Sequence, residues 1–188
     1  TDPSRPVLAL VASGAAIGYF YNSPLLPSRP GTRLKNLLLV KNLSSGAGWS
    51  MGILLFPAVR ANAPLDGPFL IAFAYMFLTV MTYEIMWDIR DREGDHAAGV
   101  ITLPVAWGVR GARAAIVLLQ AACALLIGLG LRQGLLDAPW AIFILPSFTL
   151  VAVTLLFDLE AHRSLSHLMV CGLVVFSLLG GLLATWAG

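Results

Sequence analysis

The feature that most constrains this chain is a series of long apolar runs. A helix needs about 20 residues to cross the hydrocarbon core of a bilayer, and six runs come close to that length or exceed it. They are Val7–Tyr21, Leu37–Val59, Phe69–Trp87, Ala114–Leu131, Trp140–Phe157 and Leu168–Trp186. No alternating ten-residue pattern recurs, so membrane strands are not predicted. The sequence predicts an all-α, multi-pass membrane helix bundle with six transmembrane helices, forming a single domain over residues 1–188.

Composition supports this fold class and limits the kinds of partner that the chain is expected to bind. Hydrophobic residues make up 58% of the chain and charged residues only 12%, whereas soluble domains carry about 25% charged residues. The net charge of +2 is too small to indicate nucleic-acid binding, and no basic run suggests it. Cys123 and Cys171 both lie in apolar runs and are interpreted as small buried hydrophobes. The expected surroundings are therefore membrane lipids, with no nucleic-acid partner.

Four acidic residues lie at helical spacing at the end of the third apolar run and just beyond it: Glu84, Asp88, Asp91 and Asp95. At about 100° per residue, these positions fall within roughly a 60° arc of a helix. Carboxylates stacked on one face repel one another, and the helix dipole disfavours negative charge at a C-terminal end. A bound cation would relieve both effects, and oxygen-only ligands favour a hard cation such as Mg²⁺. We therefore predict a Mg²⁺ site formed by these four residues.

A simpler interpretation of the acidic stretch is also open. The four acids could begin a solvated loop, in which Arg90 and Arg92 act as partial counter-ions.

The basic residues predict an orientation in the membrane. Nine of the 12 lie on the side of the acidic stretch: Arg29, Arg33, Lys35, Lys41, Arg90, Arg92, Arg110, Arg113 and Arg163. The other side has Arg5, Arg60 and Arg132. By the positive-inside rule, the acidic stretch should face the cytoplasm, and both termini the opposite side. We expect an integral protein of a bacterial cytoplasmic (inner) membrane.

The acidic stretch also resembles a known motif. The spacing Asp88-x-x-Asp91-x-x-x-Asp95, followed by Gly99-x-x-Thr102-Leu103-Pro104, is similar to the second aspartate-rich motif of the UbiA superfamily of intramembrane prenyltransferases. Within that superfamily, the stretch is most similar to the digeranylgeranylglyceryl phosphate synthase and chlorophyll synthase types.

The resemblance covers nearly the whole chain, but only part of the family fold. Members have nine helices, and the six apolar runs match helices four to nine. The first aspartate-rich motif, NDxxDxxxD, does not occur in the sequence. We expect the N-terminal third of the fold to be missing from this chain or supplied by another.

The resemblance implies a function and roles for individual residues. Mg²⁺ would be held by Glu84, Asp88, Asp91 and Asp95, and the three aspartates would be catalytic because the Mg²⁺ that they hold neutralises the charge on the leaving diphosphate. The substrates would be a prenyl diphosphate and a lipophilic acceptor. The residues expected to bind substrate are Tyr21, Arg33, Lys35, Lys41, Asn42 and Arg92. Lys41 lies inside an apolar run, where a charge is costly and usually functional.

Two functions remain open. The first is Mg²⁺-dependent prenyl transfer, with Trp49, Phe73, Tyr75 and Phe77 as candidates for the wall of a prenyl-chain channel; aromatic residues at helical spacing also serve ordinary packing. The second is a non-catalytic UbiA-like subunit that binds lipid or quinone within a larger complex of membrane subunits. A transporter is disfavoured, because no inverted repeat is visible and the acids lie at the end of an apolar run.

Overall fold

The structure is a computed structural model that describes residues 4–23 and 38–159, which form helices joined by short connections. In chain order the helical elements are α1 (Ser4–Asn22), α2 (Val40–Ser50), a π-helical turn (Met51–Leu55), α3 (Phe56–Arg60), α4 (Gly67–Ala97), α5 (Leu103–Arg132), a 3-10 helix (Ala138–Phe143) and α6 (Ile144–Leu156). The π-helical turn ends two residues before Pro57, whose ring nitrogen cannot donate to the preceding turn. Within these two ranges there is no strand, which confirms the all-helical prediction.

Among the residues that the structure describes, three helical segments are long and apolar enough to cross a membrane: Gly67–Ala97, Leu103–Arg132 and Ala138–Leu156. They contain the third and fourth predicted runs and all of the fifth except Phe157. The first and second runs form helices that are not among these three, and the sixth, Leu168–Trp186, lies outside the described residues. Three spans are therefore supported, and six transmembrane helices are not confirmed.

Helix α4 is central, because α2 packs on it from one side and α5 from another, and α6 packs in turn on α5. Helices α4 and α5 run antiparallel, as polar contacts between them show. Gln120 donates a 2.7 Å hydrogen bond to Thr82, while three residues further along α5 the Cys123 thiol lies 3.9 Å from the carbonyl oxygen of Tyr75. Because the two helices are antiparallel, the end of α5 lies far from the acidic end of α4.

The surface of α5 is apolar on the side that faces away from the bundle. Its packed face includes Ile116, Cys123 and Ile127, which are fully buried. On the opposite face, Leu118 is 72% exposed and Leu125 is 61% exposed. A helix that is hydrophobic on all sides needs apolar surroundings, so the exposed leucines are suited to contact lipid.

The glycine and proline of the acidic motif reverse the chain directly after the acids. Gly99 has a φ of 69°, and the N–H groups of Gly99 and Val100 donate to the carbonyls of His96 and Asp95, which is a Schellman motif. Helix α5 begins four residues later, with Pro104 in its first turn and Leu103 buried in the core, and it is kinked at Gly108, where φ is 71° and ψ is 169°. These residues of the motif therefore fix the hairpin between α4 and α5.

Candidate functional site

All four acids lie on helix α4, which continues past the end of the apolar run at Trp87 to Ala97. Glu84 and Asp88 are buried, and Asp91 and Asp95 are half-buried. The interpretation of these residues as the start of a solvated loop is therefore wrong. The expected conflict with the helix dipole is confined to Asp95 in the last turn, since the dipole effect falls off within one turn of the helix end.

Asp88 is the centre of a buried polar cluster between α4 and α2. Its side chain has no exposed surface, and the Lys41 Nζ lies 2.5 Å from Asp88 Oδ1. The Asn42 amide donates to the other oxygen, Asp88 Oδ2, at 3.0 Å. The same Lys41 Nζ is 4.0 Å from Glu84 Oε2. One ammonium group therefore compensates two buried carboxylates, as burial of charge requires.

The close approach of α2 to α4 brings these residues together. Lys41 and Asn42 occupy the first turn of α2, and Gly46 lies about one turn further along the helix. A methyl group at Gly46 would come within 3.1 Å of both the ring and the carbonyl oxygen of Phe77. Small residues permit such contact between membrane helices, so Gly46 allows the Lys41 end of α2 to reach Asp88.

Asp91 and Asp95 have different surroundings from Asp88. Arg90 forms two hydrogen bonds to Asp91, with Nε–Oδ1 at 2.9 Å and Nη2–Oδ2 at 2.6 Å. The Asp91 side chain is 47% exposed, so this neighbouring pair contributes little to stability. The Asp95 Oδ2 atom is buried and has no hydrogen-bond partner among the described residues. Arg90 is thus a counter-ion of Asp91, as the simpler interpretation proposed.

The donor set suits a hard cation, although the carboxylates do not converge. Among the residues that the structure describes, no three His, Cys, Asp or Glu side chains form a group that could hold a metal ion. Both oxygens of Asp88 accept from Lys41 and Asn42, and both of Asp91 accept from Arg90. Oxygen-only side chains are the ligand type that Mg²⁺ prefers, and one buried oxygen of Asp95 has no hydrogen-bond partner among the described residues.

The remaining predicted substrate-binding residues are only partly located. Arg92 is half-buried on α4, in the same turns as Asp91 and Asp95. Tyr21 lies in the last turn of α1. Arg33 and Lys35 fall outside the described residues. Their roles stay predictions.

An apolar cavity of about 540 Å³ begins beside Glu84 and runs along the same face of α4 toward its N-terminal half. This volume is within the range of about 300–1,000 Å³ that holds small ligands. Two of the four predicted channel aromatics, Trp49 and Tyr75, line the cavity. Phe73 instead pairs with Phe69, at 6.1 Å between ring centroids, and Phe77 packs against Gly46.

Sequence reasoning missed several aromatic residues of this cavity. Trp87 lies at its acidic end, and Trp140 and Phe143 at the opposite end. Trp87 could have been found, because it follows Glu84 by three residues and shares its face of the helix. Trp140 and Phe143 could not, because they reach the cavity only through the packing of the 3-10 helix against the bundle.

Two curated relatives, both named digeranylgeranylglyceryl phosphate synthase, are longer than this chain. The digeranylgeranylglyceryl phosphate synthase of Methanopyrus kandleri is 27% identical over 180 residues, covering 92% of this chain and 62% of the relative. The synthase of the same name from Methanothermobacter thermautotrophicus is 33% identical over 109 residues, covering 56% of this chain and 33% of the relative. The chain thus spans less than two thirds of the length of either relative. No solved structure matches it significantly.

The family assignment rests on a match over most of the sequence. The sequence profile of the UbiA prenyltransferase family matches residues 3–180. This range includes both the acidic face of α4 and the Lys41–Asn42 turn that meets it. The chain therefore belongs to the UbiA prenyltransferase family.

Proposed function

We propose that this chain forms the prenyl-diphosphate-binding part of a Mg²⁺-dependent prenyltransferase. The observation that carries the proposal is the position of Glu84, which contributes to two adjoining sites. It lies 4.0 Å from the Lys41 ammonium in the charged cluster, and it also lines the apolar cavity. A prenyl diphosphate has the same division, with a highly charged head joined to an apolar chain.

The charged cluster is suited to the diphosphate end of the substrate. Asp88, Asp91 and Asp95, together with Glu84, would hold Mg²⁺, and Mg²⁺ when bound would neutralise the charge that develops on the leaving diphosphate. Lys41 and Arg92 supply positive charge beside these carboxylates, and Asn42 keeps Asp88 oriented through its 3.0 Å hydrogen bond. Tyr21, Arg33 and Lys35 are proposed to complete the contacts with the substrate.

The reaction would join the prenyl chain to a lipophilic acceptor. The bond between the first prenyl carbon and the diphosphate oxygen breaks, and that oxygen keeps the electron pair. An acceptor oxygen or carbon then bonds to the same prenyl carbon and gives up a proton. The names of the relatives favour a glyceryl phosphate lipid as the acceptor and geranylgeranyl as the transferred group. Other membrane subunits are potential partners.

The proposed orientation places the acidic end of α4 at the cytoplasmic face of a bacterial inner membrane. A cysteine at Arg92 should react with a membrane-impermeant thiol reagent only from the cytoplasmic side. One at Asp137, just before the 3-10 helix at the other end of α5, should react only from the opposite side. The measurement is labelling in intact cells and in inverted vesicles, in a background where Cys123 and Cys171 are replaced by alanine. Labelling of both positions from one side would contradict the orientation.

The enzymatic proposal is tested by transfer of a radiolabelled prenyl group in detergent. The chain would be assayed alone and joined to an N-terminal three-helix segment that carries an NDxxDxxxD motif. Glyceryl phosphate lipid, aromatic and tetrapyrrole acceptors would each be offered, with Mg²⁺ or with a chelator. We expect transfer by the extended protein that requires Mg²⁺, and little by the chain alone. No transfer to any acceptor by a folded extended protein would favour the non-catalytic subunit that binds lipid or quinone.

A further inference from the structure

Thr102 is a buried polar residue whose hydroxyl has no role in its own helix. It directly precedes the first residue of α5 and is only 3% exposed. A threonine at this position usually caps the helix by accepting a hydrogen bond from a backbone N–H of the first turn, but the Thr102 side chain makes no such bond. Its Oγ1 atom is buried and has no hydrogen-bond partner among the described residues. Because an unpaired buried hydroxyl destabilises a protein, we expect this group to act on a residue outside α5.

The residue that meets this hydroxyl is Asp95, across the hairpin between α4 and α5. The turn at Gly99, with a φ of 69°, reverses the chain between the two residues. The Thr102 side chain interacts with the Asp95 carboxylate, yet neither Thr102 Oγ1 nor Asp95 Oδ2 forms a hydrogen bond within the part of the chain that the structure describes. A buried donor and a buried acceptor therefore lie close together, and each can still form a hydrogen bond.

Asp95 differs in this respect from the other two aspartates of the acidic face. Asp88 accepts hydrogen bonds from two side chains of α2, and Asp91 accepts two from Arg90. These donors fix the direction of each carboxylate. Residues that orient a metal ligand without touching the metal typically change metal affinity by about 10–100-fold. Asp95 thus needs a donor of this kind, and the hairpin supplies a hydroxyl beside it.

We infer that Thr102 is a positioning residue, whose hydroxyl donates to the Asp95 carboxylate and holds it in one orientation toward the ligand of the acidic face. The inference rests on the proposed function, because Asp95 acts there as a ligand of Mg²⁺. Thr102 does not itself contact the cation and acts only through Asp95. The segment after Gly99 therefore serves the site as well as the turn.

The test measures the Mg²⁺ concentration that gives half of the maximal rise in melting temperature, with inorganic pyrophosphate present and the protein in detergent. Thr102→Val keeps the shape of the side chain and removes the hydroxyl. It should raise the half-maximal concentration about tenfold, as expected for the loss of a group that orients a metal ligand. Thr102→Ser keeps the hydroxyl and should stay close to wild type. If Thr102→Val does not fold, Thr102→Ala tests the same loss.

Two further comparisons separate positioning from a structural role. Thr149→Val removes a hydroxyl that donates to the Leu145 carbonyl within α6, and it should leave the half-maximal concentration unchanged. Adding Thr102→Val to Asp95→Asn should have little further effect, because the hydroxyl acts through that carboxylate. An unchanged half-maximal concentration in the folded Thr102 variant, or an equal loss with and without Asp95→Asn, would overturn the inference. If Mg²⁺ with pyrophosphate did not raise the melting temperature of the wild type at all, the proposed function itself would fail.

Discussion

Replacing Asp88 with asparagine is expected to reduce prenyl transfer by about 10²–10³-fold, the loss typical of removing one group that stabilises charge in a transition state. Asp88 is the only one of the four acids whose side chain is fully enclosed and held by two donors, at 2.5 and 3.0 Å. Asparagine keeps its size but removes the charge that a cation and Lys41 both require. The measurement is the initial rate of Mg²⁺-dependent transfer, in the form of the protein that supports transfer.

Glu93→Gln provides the matched control for this prediction. It removes one negative charge from the same helix, five residues from Asp88, at an exposed position. Its rate should stay within about twofold of wild type, as expected for a surface charge outside the site. The melting temperature of both variants must show that they fold. If the Asp88→Asn protein folds and keeps the wild-type rate, Asp88 is not a catalytic residue.

The helical face of acids could be predicted, because residue spacing alone determines which positions share a face. The residue that pairs with Asp88 was harder to predict from the sequence. Lys41 and Asp88 are 47 positions apart, and only the packing of α2 on α4 brings them together. The sequence did single out Lys41, because a charge within an apolar run is costly and usually functional, and the family resemblance singled out Asn42. It could not indicate that both would converge on the same carboxylate.

Helix α4 extends beyond the apolar run, which ends at Trp87, and carries all four acids, as their helical spacing predicted. Its later turns contain residues with adequate helix propensity, and the helix ends only at the Gly99 motif. The residues that line the cavity could be predicted only in part. Tyr75 was a candidate from its aromatic character, whereas Phe73 and Phe77 were equally aromatic and face elsewhere. Only tertiary packing decides which ring lines a cavity.

Replacing Lys41 with methionine is expected to destabilise the protein by about 2 kcal/mol, because it leaves Asp88 buried without its cation. Breaking a fully buried pair costs about 3–5 kcal/mol. The Lys41 side chain is 34% exposed, so solvent lowers that cost. The measurement is the melting temperature in detergent without Mg²⁺. The control is Arg60→Met, which removes an exposed cation from α3 at the other end of the same helical run. This substitution should leave the melting temperature nearly unchanged.

The double variant Lys41→Met/Asp88→Asn distinguishes charge from packing. It removes both charges while keeping similar volumes, so it should recover most of the lost stability, as paired substitutions at interacting sites do. Mg²⁺ should stabilise Lys41→Met more than wild type, since in this variant Mg²⁺ no longer competes with the ammonium group for Asp88. Mg²⁺ should stabilise the double variant less than Lys41→Met. If the double variant were as unstable as Lys41→Met, Lys41 would act through packing. If Mg²⁺ stabilised wild type and both variants equally, its site would not include Asp88.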